Sequence, residues 1–192
     1  MRNRIQIDPW ACFLGALLVL TVPISWLFSA LCAAVFHELC HVAAIKILGG
    51  SILGIRIRIG GAVIESEIPG KREELLCALA GPAGSLLLLA LCHVFPKLAI
   101  CACIQGMFNL LPVYPLDGGR ILRCSLELIC PEKAEMVQNR MEILICVFIA
   151  IFAAAGTFLL SMGLLPFFAA GTMIIKAISR KRPCKRSQIR VQ

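Results

Sequence analysis

The chain alternates between long apolar stretches and short polar connections, a pattern typical of a protein that crosses a membrane several times. Six apolar stretches reach, or nearly reach, the length of about 20 residues that a spanning helix needs. They cover residues 10–24, 26–48, 74–95, 98–112, 141–161 and 164–179. The fourth is short, and the first and last are marginal, so tilted or broken segments are expected there. The pattern predicts an all-α polytopic membrane protein with about six transmembrane helices.

One connection departs from this helical pattern. Between the second and third predicted spans, residues 55–59 alternate apolar and polar side chains, Gly60 and Gly61 follow, and the alternation resumes as far as Ile68. Two alternating runs around a glycine pair are typical of a β-hairpin. We therefore expect a short hairpin over 51–68. It either lies at the membrane interface or offers an edge to which an extended peptide adds as a strand.

Composition and charge agree with insertion into a membrane. The 192 residues are 59% hydrophobic and 16% charged, with a mean hydropathy of +0.89, whereas soluble domains average about 25% charged residues. All 19 Lys and Arg except Lys46 and Lys97 fall on, or next to, one side of the six-span arrangement, which places both termini in the cytoplasm. The net charge of +8 is therefore mainly a topology signal. The basic tail is expected to contact anionic lipid headgroups, not nucleic acid.

A charged motif interrupts the second predicted span. Residues 37–41 form His-Glu-Leu-Cys-His within an otherwise apolar stretch. An ionisable group in the middle of a bilayer costs roughly 2.5–3.5 kcal/mol, so such a cluster indicates function. On a helix, His37 and His41 lie one turn apart on one face, where both can bind zinc. Glu38 between them can act as a general base toward water.

A catalytic zinc site needs a third protein ligand. Outside the motif, the candidates are the remaining histidine, His93, and the two aspartates, Asp8 and Asp117. Asp117 follows a proline-rich, non-helical segment, which is tolerated at membrane depth only where it is buried in protein or lines a cavity. It also falls near the cytoplasmic end of the fourth predicted span, at a depth similar to that of the motif. These points favour Asp117, whereas His93 is more typical of an interfacial histidine.

Together, the two motifs resemble the site-2 protease family of intramembrane zinc metalloproteases. His-Glu-x-x-His matches at 37–41, and Asn-x-x-Pro-x-x-x-Leu-Asp-Gly matches at 109–118. Gly81-Pro82 is similar to a glycine-proline step between these motifs, and Ser85 stands where many relatives carry asparagine. The chain most resembles the compact six-span group that includes a sporulation protease that processes a sigma-factor precursor. It is expected to lack the CBS domain of that group.

The resemblance implies roles for individual residues. One zinc ion would be held by His37, His41 and Asp117, with Glu38 as the catalytic base. Asn109 and Gly118 are candidates for holding the substrate backbone or the developing oxyanion. The small residues 80–85 are expected to let the third span pack closely against the helix that carries the ligands.

The resemblance also implies an organisation and a set of partners. Residues 1–179 would form the protease domain and 180–192 a basic cytoplasmic tail. The substrate would be a membrane-spanning or membrane-associated protein, cleaved near the cytoplasmic face of a bacterial cell membrane, with a regulatory membrane partner. If the hairpin clamps the substrate as an exposed edge, proline at Ile57 should harm cleavage more than folding.

Two functions without proteolysis remain as alternatives. One is a membrane scaffold that has kept the fold and lost the chemistry, and the retained Glu38 argues against it. The other is a metal transporter. Transporters carry polar residues along a pathway and are often built from internal repeats, whereas the ionisable groups here cluster at one depth and no repeat is visible.

Overall fold

The computed structural model describes residues 5–7, 9, 18–58, 61–114 and 116–159. The main helices in this part of the chain are α1 (Ile24–Ile47), α2 (Lys71–Leu87), α3 (Pro96–Asn109), α4 (Asp117–Ile129) and α5 (Ala134–Leu159). The strands are β1 (Ile5–Ile7), β2 (Ser51–Arg58) and β3 (Gly61–Glu67), and a 3-10 turn, Leu88–Leu91, follows α2. The chain divides into two compact units, Met1–Glu135 and Met136–Gln192. The site described below lies in the first unit.

Two helices among the described residues are long and apolar enough to cross a membrane. They are Ile24–Ile47 and Lys71–Leu91, which includes the 3-10 turn. Both agree with the second and third predicted spans to within a few residues. α3 has 14 residues and is therefore about 21 Å long, short of a full span as expected. The first predicted span lies partly, and the sixth wholly, outside the described residues, so a count of six stays a prediction.

One helix was not predicted. α4 occupies part of the polar connection between the fourth and fifth predicted spans, and it presents apolar and charged residues on opposite faces. It is too polar to register as a span, and the glycine pair at its start is more typical of a loop. Its importance is positional, because Asp117 is its first residue.

The buried surface of α1 is a single ridge. Its buried residues recur at every fourth position and are Ala33, His37, His41 and Ile45. Side chains four residues apart form a continuous ridge on a helix, and α1 packs against α2 and α3. Three large apolar side chains on other faces of α1 are 50–61% exposed, namely Leu31, Val35 and Leu39. An apolar helix with an apolar outer face is suited to contact with lipid.

α1 ends in a left-handed turn that leads directly into the sheet. Gly49 has a φ of 77°, which glycine adopts without steric cost. Its N–H donates to the carbonyl of Lys46 at 3.2 Å, and the N–H of Gly50 donates to the carbonyl of Ile45 at 2.8 Å. This pair of bonds forms a Schellman motif, which satisfies carbonyls at the end of the helix. β2 therefore starts immediately after the turn.

The predicted hairpin is confirmed, and it belongs to a larger sheet. β2 and β3 pair antiparallel, from Ser51 opposite Glu67 to Arg58 opposite Gly61. β1 pairs in parallel with the other edge of β2, with Ile5 opposite Ile55. The strand order is β1-β2-β3, so β2 is central. Within the described residues, the outer edge of β3 has no partner strand.

This topology revises the expectation for proline at Ile57, which treated β2 as an exposed edge. Ile57 pairs with Ile7 on one side and with Ala62 on the other. In a central strand, every backbone N–H is directed toward a neighbouring strand, so proline removes a ladder hydrogen bond. The substitution is therefore expected to destabilise the folded protein, whatever its effect on substrate binding.

Ile57→Pro is expected to destabilise the protein. The unsatisfied backbone partner costs about 1–3 kcal/mol, which corresponds to a fall in Tm of about 2–4 °C per kcal/mol for a chain of this size. Thermal unfolding of the detergent-solubilised protein measures the change. Ile57→Val, which keeps the N–H, is the control. A Tm equal to that of the control would show that β2 is not a central strand.

Candidate metal centre

His37 and His41 lie one turn apart on the buried ridge of α1. Their exposed fractions are 1% and 6%. Their Nε2 atoms are 3.3 Å apart, and their rings meet edge to face at 79°. Both imidazoles therefore direct Nε2 at one point beside the helix.

Asp117 reaches the same point from the start of α4. Its Oδ2 lies 3.0 Å from the Nε2 atom of each histidine. The chain reverses between the end of α3 and the start of α4, and the first turn of a helix favours a carboxylate because of the helix dipole. The structure thus brings His37, His41 and Asp117 together as a group that could hold a metal ion.

Hydrogen bonds on the far side of each ring fix its orientation. The Nδ1 atom of His41 donates to the backbone carbonyl of Cys77 at 2.7 Å. A carbonyl can only accept, so this Nδ1 carries the proton and Nε2 presents a lone pair to the centre. The Nδ1 atom of His37 lies 2.8 Å from Oγ of Ser85. Such outer hydrogen bonds are typical of histidines that bind metals.

The distances at the centre fit a zinc ion. Burial alone would raise the pKa of Asp117, but the two adjacent imidazoles hold it at about 2, so the carboxylate is ionised at neutral pH. An ionised carboxylate and two imidazole lone pairs repel one another unless a proton or a cation lies among them. Neighbouring ligands about 2.0–2.1 Å from zinc are roughly 3.3 Å apart in a tetrahedral site. The observed separations of 3.0–3.3 Å are close to this value.

Gly81 keeps the centre open. A Cβ atom at this position would lie 2.6 Å from Nε2 of His37 and closer still to Nε2 of His41. A Cβ atom at Gly84, one turn along α2, would run into the Cys40 side chain on α1. The predicted close packing of these helices is therefore confirmed. The structure adds that one of the glycines borders the metal centre itself.

Glu38 lies beside the ligand group and is half-buried. Its carboxylate interacts electrostatically with both histidines and with Asp117. Arg120, in the first turn of α4, adds a positive charge toward it. In the sequence, Arg120 was used only to predict the orientation of the chain in the membrane. Nothing in its spacing indicated that α4 would bring it to the site.

The two tentative substrate residues occupy different places. Asn109 is the last residue of α3, and its Nδ2 atom lies 3.2 Å from Nε2 of His37. Gly118 is buried, and a Cβ atom there would run into the backbone carbonyls of Leu110 and Leu111. That contact indicates a packing role that brings α4 against the preceding loop. A direct role of Gly118 in substrate binding stays a prediction.

The other two candidate ligands were His93 and Asp8. His93 is exposed and does not belong to the cluster of ligand atoms, and Asp8 lies outside the described residues. A cavity of about 540 Å³ opens between the starts of α1 and α3, and no residue of the ligand group lines it.

The chain matches two models of one peptidase family. Residues 10–113 match the family model Peptidase M50B-like, and residues 78–152 match Peptidase family M50. A zinc metalloprotease of Methanocaldococcus jannaschii is 36% identical over 109 residues, which cover 49% of this chain and 32% of the relative. Stage IV sporulation protein FB of Bacillus subtilis is 28% identical over 133 residues, which cover 62% of this chain and 46% of the relative. The chain thus spans a third to a half of these curated relatives.

A solved structure extends the similarity to the fold. The site-2 protease from Methanocaldococcus jannaschii superimposes with a TM-score of 0.67 at 23% identity, covering 96% of this chain and 94% of that chain. The two proteins therefore share a fold. The M50B-like model matches residues 10–113, which are more than half of the chain. The chain therefore belongs to peptidase family M50, the site-2 protease family.

Proposed function

We propose that this chain is a zinc-dependent intramembrane endopeptidase. The observation that carries the proposal is the convergence of three ligand atoms, from His37, His41 and Asp117, at separations of 3.0–3.3 Å. Membership of the M50 family and a relative named as a zinc metalloprotease support hydrolysis of a peptide bond. Two helices suited to crossing a membrane support an intramembrane location.

The three ligands would hold one zinc ion. When bound, zinc supplies Lewis-acid chemistry, which polarises the scissile carbonyl and lowers the pKa of water toward about 7. Two neutral imidazoles and one carboxylate leave a net positive charge at the centre, which suits both effects. Because His37 and His41 are almost fully buried, the surroundings exclude solvent that would weaken this charge.

Glu38 is proposed as the general base. Its carboxylate accepts a proton from the attacking water and later passes that proton to the leaving amine nitrogen. Its half-buried position, next in sequence to one ligand and electrostatically coupled to the other two, supports this role. The positive charge of Arg120 attracts the carboxylate before it takes up the proton.

Asn109 is proposed as a hydrogen-bond donor to the reacting carbonyl. Its Nδ2 atom is already directed into the centre, 3.2 Å from Nε2 of His37. A donor held at the end of a helix needs little reorganisation when negative charge develops on the substrate oxygen. Cys77 and Ser85, which bond to the outer nitrogens of the histidines, lie on α2. Asn109 lies on α3 and therefore reaches the centre from a different helix.

The substrate must be extended where it is cut, because a helix hides its carbonyls in its own hydrogen bonds. The outer edge of β3 is where such a segment would pair, since β1 occupies the other side of β2. We propose a membrane-spanning or membrane-associated protein, cleaved near the cytoplasmic face of a bacterial membrane. The match to Stage IV sporulation protein FB supports a role in sporulation, with a sigma-factor precursor as the substrate suggested by the sequence resemblance.

Glu38→Gln is expected to abolish cleavage without loss of zinc. Removing a general base lowers the rate by about 10²- to 10⁴-fold, while the three ligands stay in place. The assay is co-expression with a tagged sigma-factor precursor from a spore-forming bacterium, with zinc per chain measured by mass spectrometry. Glu132→Gln, at an exposed position, is the control. Equal cleavage by both variants would overturn the role of Glu38.

Gly81→Ala is expected to remove zinc from the protein. The added Cβ would occupy the space between the two Nε2 atoms, so zinc per purified chain should fall toward zero. Ala83→Val, which adds bulk on the exposed side of α2, should retain zinc. Full zinc occupancy in Gly81→Ala would show that the ion binds elsewhere.

Asn109→Ala is expected to slow turnover by about 10²- to 10³-fold, the usual cost of losing one oxyanion donor. Zinc content should stay at the wild-type level, because the side chain is not one of the three proposed ligands. The same cleavage assay and metal analysis apply. Loss of zinc together with activity would assign Asn109 to metal binding instead.

A further inference from the structure

We propose that Ser85 is a positioning residue for His37, whose hydroxyl orients the imidazole toward the metal and thereby raises metal affinity. This inference rests on the metal site of the proposed function. In the sequence, Ser85 was notable only as a departure from the asparagine that many relatives carry. In the structure, Ser85 contacts the Nδ1 atom of His37, and no other described side chain contacts that atom.

The contact is short and completely buried. Oγ of Ser85 lies 2.8 Å from Nδ1 of His37, and the exposed fractions of the two residues are 0% and 1%. No buried side-chain nitrogen or oxygen among the described residues lacks a partner. Without the hydroxyl, Nδ1 would become such an atom, and leaving a buried polar atom unpaired is unfavourable. The ring would then turn toward another partner and away from the centre.

The two histidines are held in different ways. His41 donates to a backbone carbonyl, which no substitution removes and which fixes its tautomer. His37 faces a hydroxyl, which can both accept and donate. Ser85 can therefore accept from Nδ1 when Nε2 binds metal, or donate to Nδ1 when Nε2 carries a proton toward Asp117. Only the first arrangement presents a lone pair to the metal, and Ser85 supports it without leaving a buried atom unpaired.

Packing holds the hydroxyl in this position. A Cβ atom at Gly106 on α3 would lie 2.9 Å from Cβ of Ser85, so α3 closes tightly behind the serine. On α2, Cys77, Gly81 and Ser85 are spaced four residues apart and thus share one face. That face supplies one outer hydrogen bond to each histidine and an opening between them. The geometry points to α2 as the element that orients the ligands carried by α1.

The test is the zinc dissociation constant of Ser85→Ala. Loss of an outer hydrogen bond to a ligating histidine typically weakens metal binding by 10- to 100-fold, and we expect an increase of that size. Competition with a chromophoric chelator measures the constant on the folded, monodisperse fraction. Ser29→Ala is the matched control, because it removes a hydroxyl from α1 that bonds only to its own helix at Ser25.

Two further measurements separate orientation from general destabilisation. The absorption spectrum of the cobalt(II)-loaded protein should change in Ser85→Ala and stay unchanged in Ser29→Ala, even if both variants lose a similar amount of Tm. Ser85→Thr, which keeps the hydroxyl, should bind zinc more tightly than Ser85→Ala. A zinc dissociation constant for Ser85→Ala within twofold of wild type would overturn the proposal. Absence of zinc binding in the wild type would instead overturn the metal site itself.

Discussion

The close approach of α1 and α2 is the constraint on which the site depends. Two imidazoles buried in an apolar helix need a partner at each ring nitrogen, because an unpaired buried polar group costs several kcal/mol. α2 supplies the outer partners through Cys77 and Ser85. It can do so only because Gly81 has no side chain at the point where both Nε2 atoms meet. The close packing that the small residues allow is therefore also what brings the outer hydrogen-bond partners to the two histidines.

Asp117 depends on a second close contact, made by the chain that follows α3. The loop from Leu110 to Tyr114 must fold back tightly enough for the start of α4 to face α1. Gly118 and Gly119 allow this, since a Cβ atom on either would strike the backbone of that loop, at Leu110 and at Val113. The third ligand thus comes from a helix terminus, where the dipole favours its negative charge. A side chain on either glycine would displace the carboxylate without touching the metal.

The sequence predicted the residues that carry chemistry better than the contacts that hold them. His37 and Glu38 stood out because ionisable groups are rare in apolar segments. Asp117 stood out because it follows a proline-rich segment near the end of a predicted span, and the hairpin because its period is two. β1 has only three residues, too few for any periodicity, and its absence from the prediction made Ile57 look like an edge residue. The contribution of Cys77 is a backbone carbonyl, which any residue type would supply. Ser85 and Gly81 resembled ordinary small packing residues, and only their positions in space distinguish them.

The outer hydrogen bonds of the two histidines differ in their sensitivity to substitution, because one is made by a backbone carbonyl and the other by a side chain. A ligand held by a backbone carbonyl keeps its orientation whatever side chain stands at position 77. A ligand held by a side chain depends on the residue at position 85, so metal affinity can change there while the His-Glu-x-x-His motif stays intact. An asparagine at this position would present an amide oxygen or an amide nitrogen to Nδ1, and only the oxygen would favour the tautomer that binds metal. A serine hydroxyl can accept from Nδ1 in the same way, and Gly106 on α3 leaves the space that the Ser85 side chain occupies.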